Sequence, residues 1–131
     1  MKMMSKLKTL IMTLLGSCFG ACAQQPYSDM DVTQFEQFLQ HDTTVQLVDV
    51  RTPEEFAESH IGGAVNMDVK AADFVSTALS RLDKQRPVAV YCRSGRRSAH
   101  AAELLAKQGY KVTNLRGGIM AWQEARKPVE K

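Results

Sequence analysis

Positions 88 to 98 read Val88-Ala89-Val90-Tyr91-Cys92-Arg93-Ser94-Gly95-Arg96-Arg97-Ser98. The apolar residues at 88–91 predict a buried strand. A helical pattern of alanines and leucines occupies 99–108 and is stopped by Gly109. Cys92 therefore lies in a short loop between the end of a strand and the start of a helix.

Strands and helices alternate on both sides of this loop. Asp31 is typical of a helix N-cap with a capping box, and Pro53 suits the first turn of a short helix. This alternation predicts an α/β fold with a parallel sheet and helices on both faces. The active crevice of such a sheet lies beyond the carboxyl ends of its strands, where Cys92 falls. The other predicted helices are 32–40, 54–58, 71–82 and 119–126, and the other predicted strands are 45–50, 64–67 and 111–115.

The loop offers a sulfur atom several stabilising groups. The thiolate is the nucleophilic form of cysteine, and a free thiol titrates near pH ~8.5. Unpaired amides at a helix start carry partial positive charge, and Ser94 and Gly95 let the backbone curl into an anion-binding nest. We predict a lowered pKa for Cys92, aided by three nearby guanidinium groups, those of Arg93, Arg96 and Arg97.

Each of these features also has a simpler interpretation. The arginines alone would be a solvated charge run, Gly95 a plain turn, and Cys92 a buried core residue, which is the commonest state of a single thiol. Their coincidence at a strand–loop–helix junction favours a functional site.

The first 23 residues are typical of a secretory signal peptide. A basic start precedes a short apolar run at 9–15, and small residues lead to a cleavage site after Ala23. The run is shorter than the roughly 20 apolar residues that span a bilayer. The alternative is a buried N-terminal helix.

Export to the periplasm is therefore expected, in one of two forms. Cleavage after Ala23 leaves a soluble protein whose single thiol, Cys92, is a candidate reactive group in an oxidising compartment. Cys18 and Cys22 each end a stretch that resembles a lipobox, so the alternative is a lipid anchor on a membrane.

The charge balance excludes one class of partner. The chain has a formal net charge of +3, and the segment 1–23 holds three lysines and no acidic residue, so residues 24–131 balance at zero. Nucleic-acid binding usually needs a basic surface, so no nucleic-acid partner is expected. Residues 24–131 suffice for one domain. No cofactor or metal is expected, because the chain has neither a zinc-type His–Cys spacing nor a nucleotide-binding fingerprint.

Four stretches, in this order, resemble the signatures of the single-domain rhodanese family. They are 47–51 with 53–56, 60–66, the loop 92–98, and 114–122. The resemblance covers nearly all of 24–131 and implies a small rhodanese-like α/β domain. Within the loop, one position departs from the family pattern, because Arg96 stands where an uncharged residue is common. We expect Arg96 to contact a more anionic donor or a partner protein.

The resemblance also implies sulfurtransferase chemistry. Cys92 would take the outer sulfur of a small anionic donor such as thiosulfate, hold it as a persulfide, and pass it to a thiol or protein acceptor. Within the loop, Arg93 and Arg96 are expected to guide the donor, and Arg97 to brace the loop through a carboxylate. The predicted substrate-binding residues are Arg93, Ser94, Gly95, Arg96, Arg97 and Ser98.

Residues outside the loop receive more modest predictions. Asp49 and Arg51 end another predicted strand, where they either support the loop or form a structural ion pair. His100 is expected at the surface or in packing rather than as a general base. His60 is expected to anchor a turn. The expected core residues of the last helix are Met120 and Trp122.

Two alternative functions remain open. A non-catalytic sulfur-carrier or protein-binding module of the same family would keep the loop without turning over thiosulfate. A phosphatase or arsenate reductase of related fold has a loop one residue longer, with an arginine six positions after the cysteine. Ser98 occupies that position here. The tighter loop suits one sulfur atom better than a tetrahedral oxyanion.

Overall fold

The centre of the molecule is a five-stranded parallel sheet. A computed structural model describes residues 25–131, and the predicted signal peptide lies outside the described residues. The strands run in the order β1-β5-β4-β2-β3, which makes β4 the central strand. They are β1 Ser28–Met30, β2 Gln46–Asp49, β3 Val65–Asn66, β4 Val88–Tyr91 and β5 Val112–Leu115.

The described residues form five helices, and four of them cover the two faces of the sheet, as predicted. One apolar cluster packs α3 and α4 against Val88 and Val90, and a second packs α1 and α5 against Ala89 and Tyr91. Because successive strand residues point to opposite faces, β4 contributes to both clusters and is buried throughout. The helices are α1 Val32–His41, α2 Pro53–Glu58, α3 Phe74–Arg81, α4 Arg96–Lys107 and α5 Gly118–Glu124.

Local sequence patterns predicted the positions of most of these elements correctly. The capping box at the start of α1 is present, with the Gln34 amide donating to Asp31 Oδ1 at 2.9 Å and the Asp31 amide donating to Gln34 Oε1 at 3.1 Å. Helix α3 begins at Phe74 rather than at residue 71, because the amide of Phe74 bonds to the carbonyl of Ala71 in a preceding turn.

Strand β1 is an element that the sequence did not predict. Its three residues show no apolar alternation, and the strand forms because it adds to the edge of β5, with Asp29 opposite Asn114. Within residues 25–131 no helix has the length and apolar content needed to cross a membrane.

Candidate active site

The candidate site lies at the carboxyl edge of the sheet, as predicted. Cys92 directly follows β4, whose neighbours β2 and β5 end at Asp49 and Leu115. Because the strands are parallel, the segments that follow these three strands emerge at the same edge. The loop from Cys92 to Gly95 then turns directly into α4.

Helix α4 begins earlier than predicted and directs its first amides toward the sulfur. Gly95 adopts a left-handed conformation, with φ of 104°, and serves as an N-cap without a side-chain hydrogen bond. The helix therefore starts at Arg96 rather than at residue 99. The amide of Gly95 donates to Cys92 Sγ at 3.0 Å, and the hydroxyl of Ser98 donates to the same sulfur at 3.3 Å.

The carbonyls of the loop point away from the site, toward α5. The Ile119 amide donates to the carbonyl of Cys92 at 2.9 Å, and the Met120 amide donates to the carbonyl of Arg93 at 3.1 Å. In a trans peptide the following N–H points opposite to the carbonyl, so these contacts turn the amides of Arg93 and Ser94 away from α5. Hydrogen bonds from α5 thus fix the orientation of these loop peptides.

Two glycines allow α5 to approach the loop this closely. A Cβ on Gly118 would lie 2.4 Å from the carbonyl oxygen of Arg93 and 2.5 Å from that of Cys92. The amide nitrogen of Gly117 would lie 3.3 Å from a Cβ on Gly95. The backbone of Gly117 and Gly118 is therefore a contact surface for the loop that carries Cys92.

Hydrogen bonds determine the ionisation of Cys92. Burial favours the neutral thiol, but the Ser98 hydroxyl and the amides of Ser98, Gly95 and Ser94 outweigh it, and the pKa of Cys92 falls below its ordinary value. The direction agrees with the sequence prediction. The predicted amides contribute and the charge of Arg97 also acts on Cys92, but the Ser98 hydroxyl, which was not predicted as a cause, is the largest contribution that opposes burial.

Burial of the thiol is deeper than expected. Only 1% of Cys92 is exposed, whereas the sequence predicts a thiol open to an anionic donor. The physical reason is that the groups that bond to the sulfur also cover it, and that Cys92 packs on the same face of the sheet as Val90 and Ala101. Access to the sulfur is therefore restricted in this arrangement of the loop.

The arginines of the loop divide into two kinds. Arg97 forms a two-pronged ion pair with Glu55, at 2.7 Å from Nη1 to Oε1 and 2.9 Å from Nη2 to Oε2. Glu55 is thus the carboxylate through which Arg97 was predicted to brace the loop. Arg93 and Arg96 are exposed and form no ion pair within residues 25–131.

Glu55 is a site residue that sequence reasoning missed. It closes the capping box of α2, where its Oε1 accepts from the amide and the hydroxyl of Thr52, each at 3.1 Å. The hydrogen bond from Arg97 is the main cause that lowers the pKa of Glu55 to about 2. The Thr-x-x-Glu pattern was visible in the sequence as a capping signal, but its second partner is 42 residues away.

Asp49 and Arg51 form a buried ion pair at the end of β2. Arg51 Nη2 lies 2.6 Å from Asp49 Oδ2, and it also donates to the carbonyl of Ser59 at 2.7 Å. The Arg51 guanidinium lies 5.7 Å from the centre of the Tyr91 ring. These contacts join the end of β2 to the segment after α2 and to β4, which corresponds to the structural alternative for this pair.

The remaining predictions had mixed outcomes. His100 is exposed, as expected. His60 anchors a turn, with Nδ1 bonded to the carbonyl of Phe56 at 2.9 Å. Trp122 is buried, but the core prediction for Met120 was wrong, because 42% of this residue is exposed. Met120 sits in the first turn of α5, beside the loop, where no neighbouring element of residues 25–131 covers it.

The comparisons with known proteins agree with this geometry. The model of the Rhodanese-like domain family matches residues 31–125. The chain belongs to the rhodanese-like family. This rhodanese-like domain is 39% identical to a protein named "Sulfurtransferase" from Allochromatium vinosum, over 78% of this chain and 94% of the relative. It is 37% identical to "Thiosulfate sulfurtransferase GlpE" from Shewanella oneidensis, over 76% of this chain and 95% of the relative.

Solved structures agree with the rhodanese-like fold. A solution structure of the rhodanese-like domain of a protein from Anabaena superposes with a TM-score of 0.70 at 30% identity, covering 82% of this chain and 80% of that one. A crystal structure of a rhodanese-related protein from Thermoplasma volcanium superposes with a TM-score of 0.69 at 26% identity, covering 79% and 98%.

Proposed function

We propose that this rhodanese-like domain is a sulfurtransferase that carries sulfane sulfur on Cys92. The observation that carries the proposal is the pair of hydrogen bonds to Sγ, from the Gly95 amide and the Ser98 hydroxyl, in a site where the pKa of Cys92 is lowered. A lowered pKa increases the fraction of the nucleophilic thiolate at neutral pH. Relatives named as sulfurtransferases support the same reaction class.

The proposed reaction has two balanced steps. In the first, the Cys92 thiolate attacks the outer sulfur of a donor such as thiosulfate, the sulfur–sulfur bond of the donor breaks, and sulfite leaves with the bonding electron pair. In the second, an acceptor thiolate attacks the outer sulfur of the Cys92 persulfide. The bond to Sγ breaks and its electrons restore the Cys92 thiolate. Ping-pong kinetics follow from such a covalent intermediate.

The residues of the loop have separate roles in this proposal. The amides and the Ser98 hydroxyl stabilise negative charge on sulfur in both steps. Arg93 and Arg96, which are exposed and without an ion-pair partner among the described residues, attract the anionic donor. Arg97 braces the loop through Glu55, and this ion pair offsets part of the charge that Arg97 could present to the donor.

The burial of Cys92 predicts selectivity by size. Because 1% of the residue is exposed, folding should slow a bulky aromatic disulfide far more than the slender reagent iodoacetamide, when each rate is compared with the rate of the same reagent in denaturant. In denaturant each reagent should react at the rate set by its own chemistry, without this effect of size. Equal discrimination in the folded and unfolded protein would contradict a recessed nucleophile.

Intact-mass measurement tests the proposed function directly. After incubation with thiosulfate and removal of the donor, the protein should gain one sulfur atom, and a thiol acceptor should remove it. The Cys92→Ser variant should gain none. If neither thiosulfate nor another sulfane donor adds sulfur to the wild-type protein, the sulfurtransferase assignment is wrong.

We also propose that residues 1–23 are a signal peptide that directs the protein to the periplasm. Intact mass of the protein from membrane and soluble fractions separates the two predicted forms. A start at Gln24 supports soluble export, and an acylated Cys18 or Cys22 supports a lipid anchor. An unprocessed N-terminus in both fractions would contradict the proposal.

A further inference from the structure

Exposed side chains lie on the segments next to the recessed thiol. We define the arginine rim as Arg93, Arg96, Arg116 and Met120, all of which are exposed. Arg93 and Arg96 belong to the loop and to the first turn of α4. Met120 lies beside the loop, because its amide donates to the Arg93 carbonyl. Arg116 follows Leu115, whose carbonyl oxygen would lie 3.6 Å from a Cβ on Gly95.

The positive charge of the arginine rim is not neutralised locally. None of its three arginines forms an ion pair within residues 25–131, whereas the neighbouring Arg97 is held by Glu55. Residues 25–131 taken together carry no formal net charge, since the excess of +3 lies in the N-terminal segment 1–23. The rim is therefore a local concentration of charge on a neutral domain, and it should attract a partner of opposite charge.

The composition of the rim fits a protein partner. Arginine and methionine are enriched in protein–protein interfaces, and lysine is depleted there. The rim contains three arginines, no lysine, and an apolar side chain that is 42% exposed. A nucleic-acid surface would require a basic domain, and one methionine provides little apolar area for insertion into a membrane.

We propose that the arginine rim docks an acidic segment of a protein that presents the acceptor thiol to Cys92. The inference rests on the proposed function and specifies its acceptor. Because Cys92 is 1% exposed, the acceptor cysteine must reach into the loop from a surface that binds outside it. Carboxylates beside that cysteine would pair with the rim arginines and hold it in position.

A binding experiment tests the docking without sulfur chemistry. The probe is a labelled peptide with a serine flanked by aspartates, compared with the same peptide carrying asparagines, by fluorescence anisotropy at low salt. The acidic peptide should bind, and Arg116→Gln should weaken it by about two- to fivefold, the effect of one exposed charge pair. Arg81→Gln is the matched control, because Arg81 is exposed and lines a cavity with Gln46 at the opposite edge of the sheet.

A transfer experiment then tests the acceptor role. The wild-type protein is loaded with thiosulfate, freed of donor, and mixed with peptides in which cysteine replaces the serine. The aspartate peptide should remove the sulfur at least about threefold faster than the asparagine peptide, and added salt should reduce that ratio. Arg116→Gln should reduce the ratio without changing the extent of loading, and Arg81→Gln should leave it unchanged.

The outcomes separate the two proposals. Failure to load sulfur overturns the sulfurtransferase and, with it, the acceptor role of the rim. Normal loading with equal transfer to both peptides, or no effect of Arg116→Gln on binding, overturns the docking surface alone. Binding of vesicles containing an anionic phospholipid, lost in Arg116→Gln and without binding of the peptide, would assign the rim to a membrane and overturn the protein partner.

Discussion

The sulfur of Cys92 lies where the last apolar side chains of a strand meet the free amides of a helix. Burial alone would leave an inert neutral thiol. Donors on Gly95 and Ser98 reverse that preference, since they stabilise the charged form and lower the pKa of the thiol. One short loop thus makes a core-like cysteine a candidate nucleophile.

The Ser98 hydroxyl is the donor that a single substitution can remove. Ser98→Ala should raise the pKa of Cys92, because the hydroxyl is the largest contribution that opposes burial. Alkylation by iodoacetamide, measured against pH, should shift to higher pH and slow at neutral pH. Ser80→Ala is the control, since Ser80 is exposed on α3 and bonds only to the Thr77 carbonyl. An unchanged pH profile in Ser98→Ala would contradict this account.

At the scale of elements, the loop is held from two sides. On one side Arg97 pairs with Glu55 of α2, and on the other α5 donates two amides to loop carbonyls. Helices α2, α4 and α5 therefore determine the loop's shape, and each of these contacts joins segments distant in sequence. The motif order in the sequence suggested that these segments belong together but did not indicate which atoms meet.

Removing the carboxylate of Glu55 should destabilise the protein in a pH-dependent way. Glu55→Gln should cost about 1 kcal/mol at pH 7, since the pair is only partly buried. The pKa of Glu55 falls from 4.5 to about 2 on folding, so the stabilisation is present above pH 4.5 and is lost as pH falls toward 2. Urea unfolding from pH 7 to pH 3 should show the difference from wild type shrinking.

Glu54→Gln provides the control for this pH dependence, because Glu54 is an exposed residue of the same helix and forms no ion pair within residues 25–131. Its effect on unfolding should be smaller and should not follow the same pH window. If Glu55→Gln and Glu54→Gln behave alike, the pair with Arg97 contributes nothing measurable to stability.

Gly118 should tolerate no side chain, because the loop backbone occupies the space. Gly118→Ala should cost at least about 3 kcal/mol, combining a left-handed backbone with a clash against the Cys92 and Arg93 carbonyls. Gly63→Ala separates the cost of the left-handed backbone from the cost of the clash, since Gly63 also has a positive φ but nothing within 4 Å of a Cβ. It should cost only about 1–2 kcal/mol. Equal losses in unfolding experiments would show that backbone conformation alone accounts for Gly118.

At the scale of the whole molecule, the parallel sheet gathers the functional segments at one edge. The buried Asp49–Arg51 pair lies at that edge and joins β2, the segment after α2, and the Tyr91 ring. Neither residue has a hydrogen bond to Cys92. We therefore expect the pair to maintain the architecture rather than the chemistry.

Breaking this pair should affect stability far more than thiol reactivity. Asp49→Asn leaves a buried guanidinium without its counter-charge and should cost about 3–5 kcal/mol in equilibrium unfolding. The folded variant should keep the alkylation profile of Cys92. Glu36→Gln, which breaks a half-exposed pair with Lys127, should cost no more than about 1 kcal/mol. A shifted alkylation profile with unchanged stability in Asp49→Asn would assign the pair to the active site instead.

The sequence alone was sufficient for the α/β class, the buried strand before Cys92 and the helix after it, because these depend on local periodicity and chain order. It also identified the loop between them as the candidate site. Only the tertiary structure identified Glu55 as the partner of Arg97, Gly118 as the support of the loop, and β1 as an edge strand. It also revealed the burial of Cys92 and the exposure of Met120. Such features depend on which distant segments the sheet brings into contact, and local patterns do not specify those contacts.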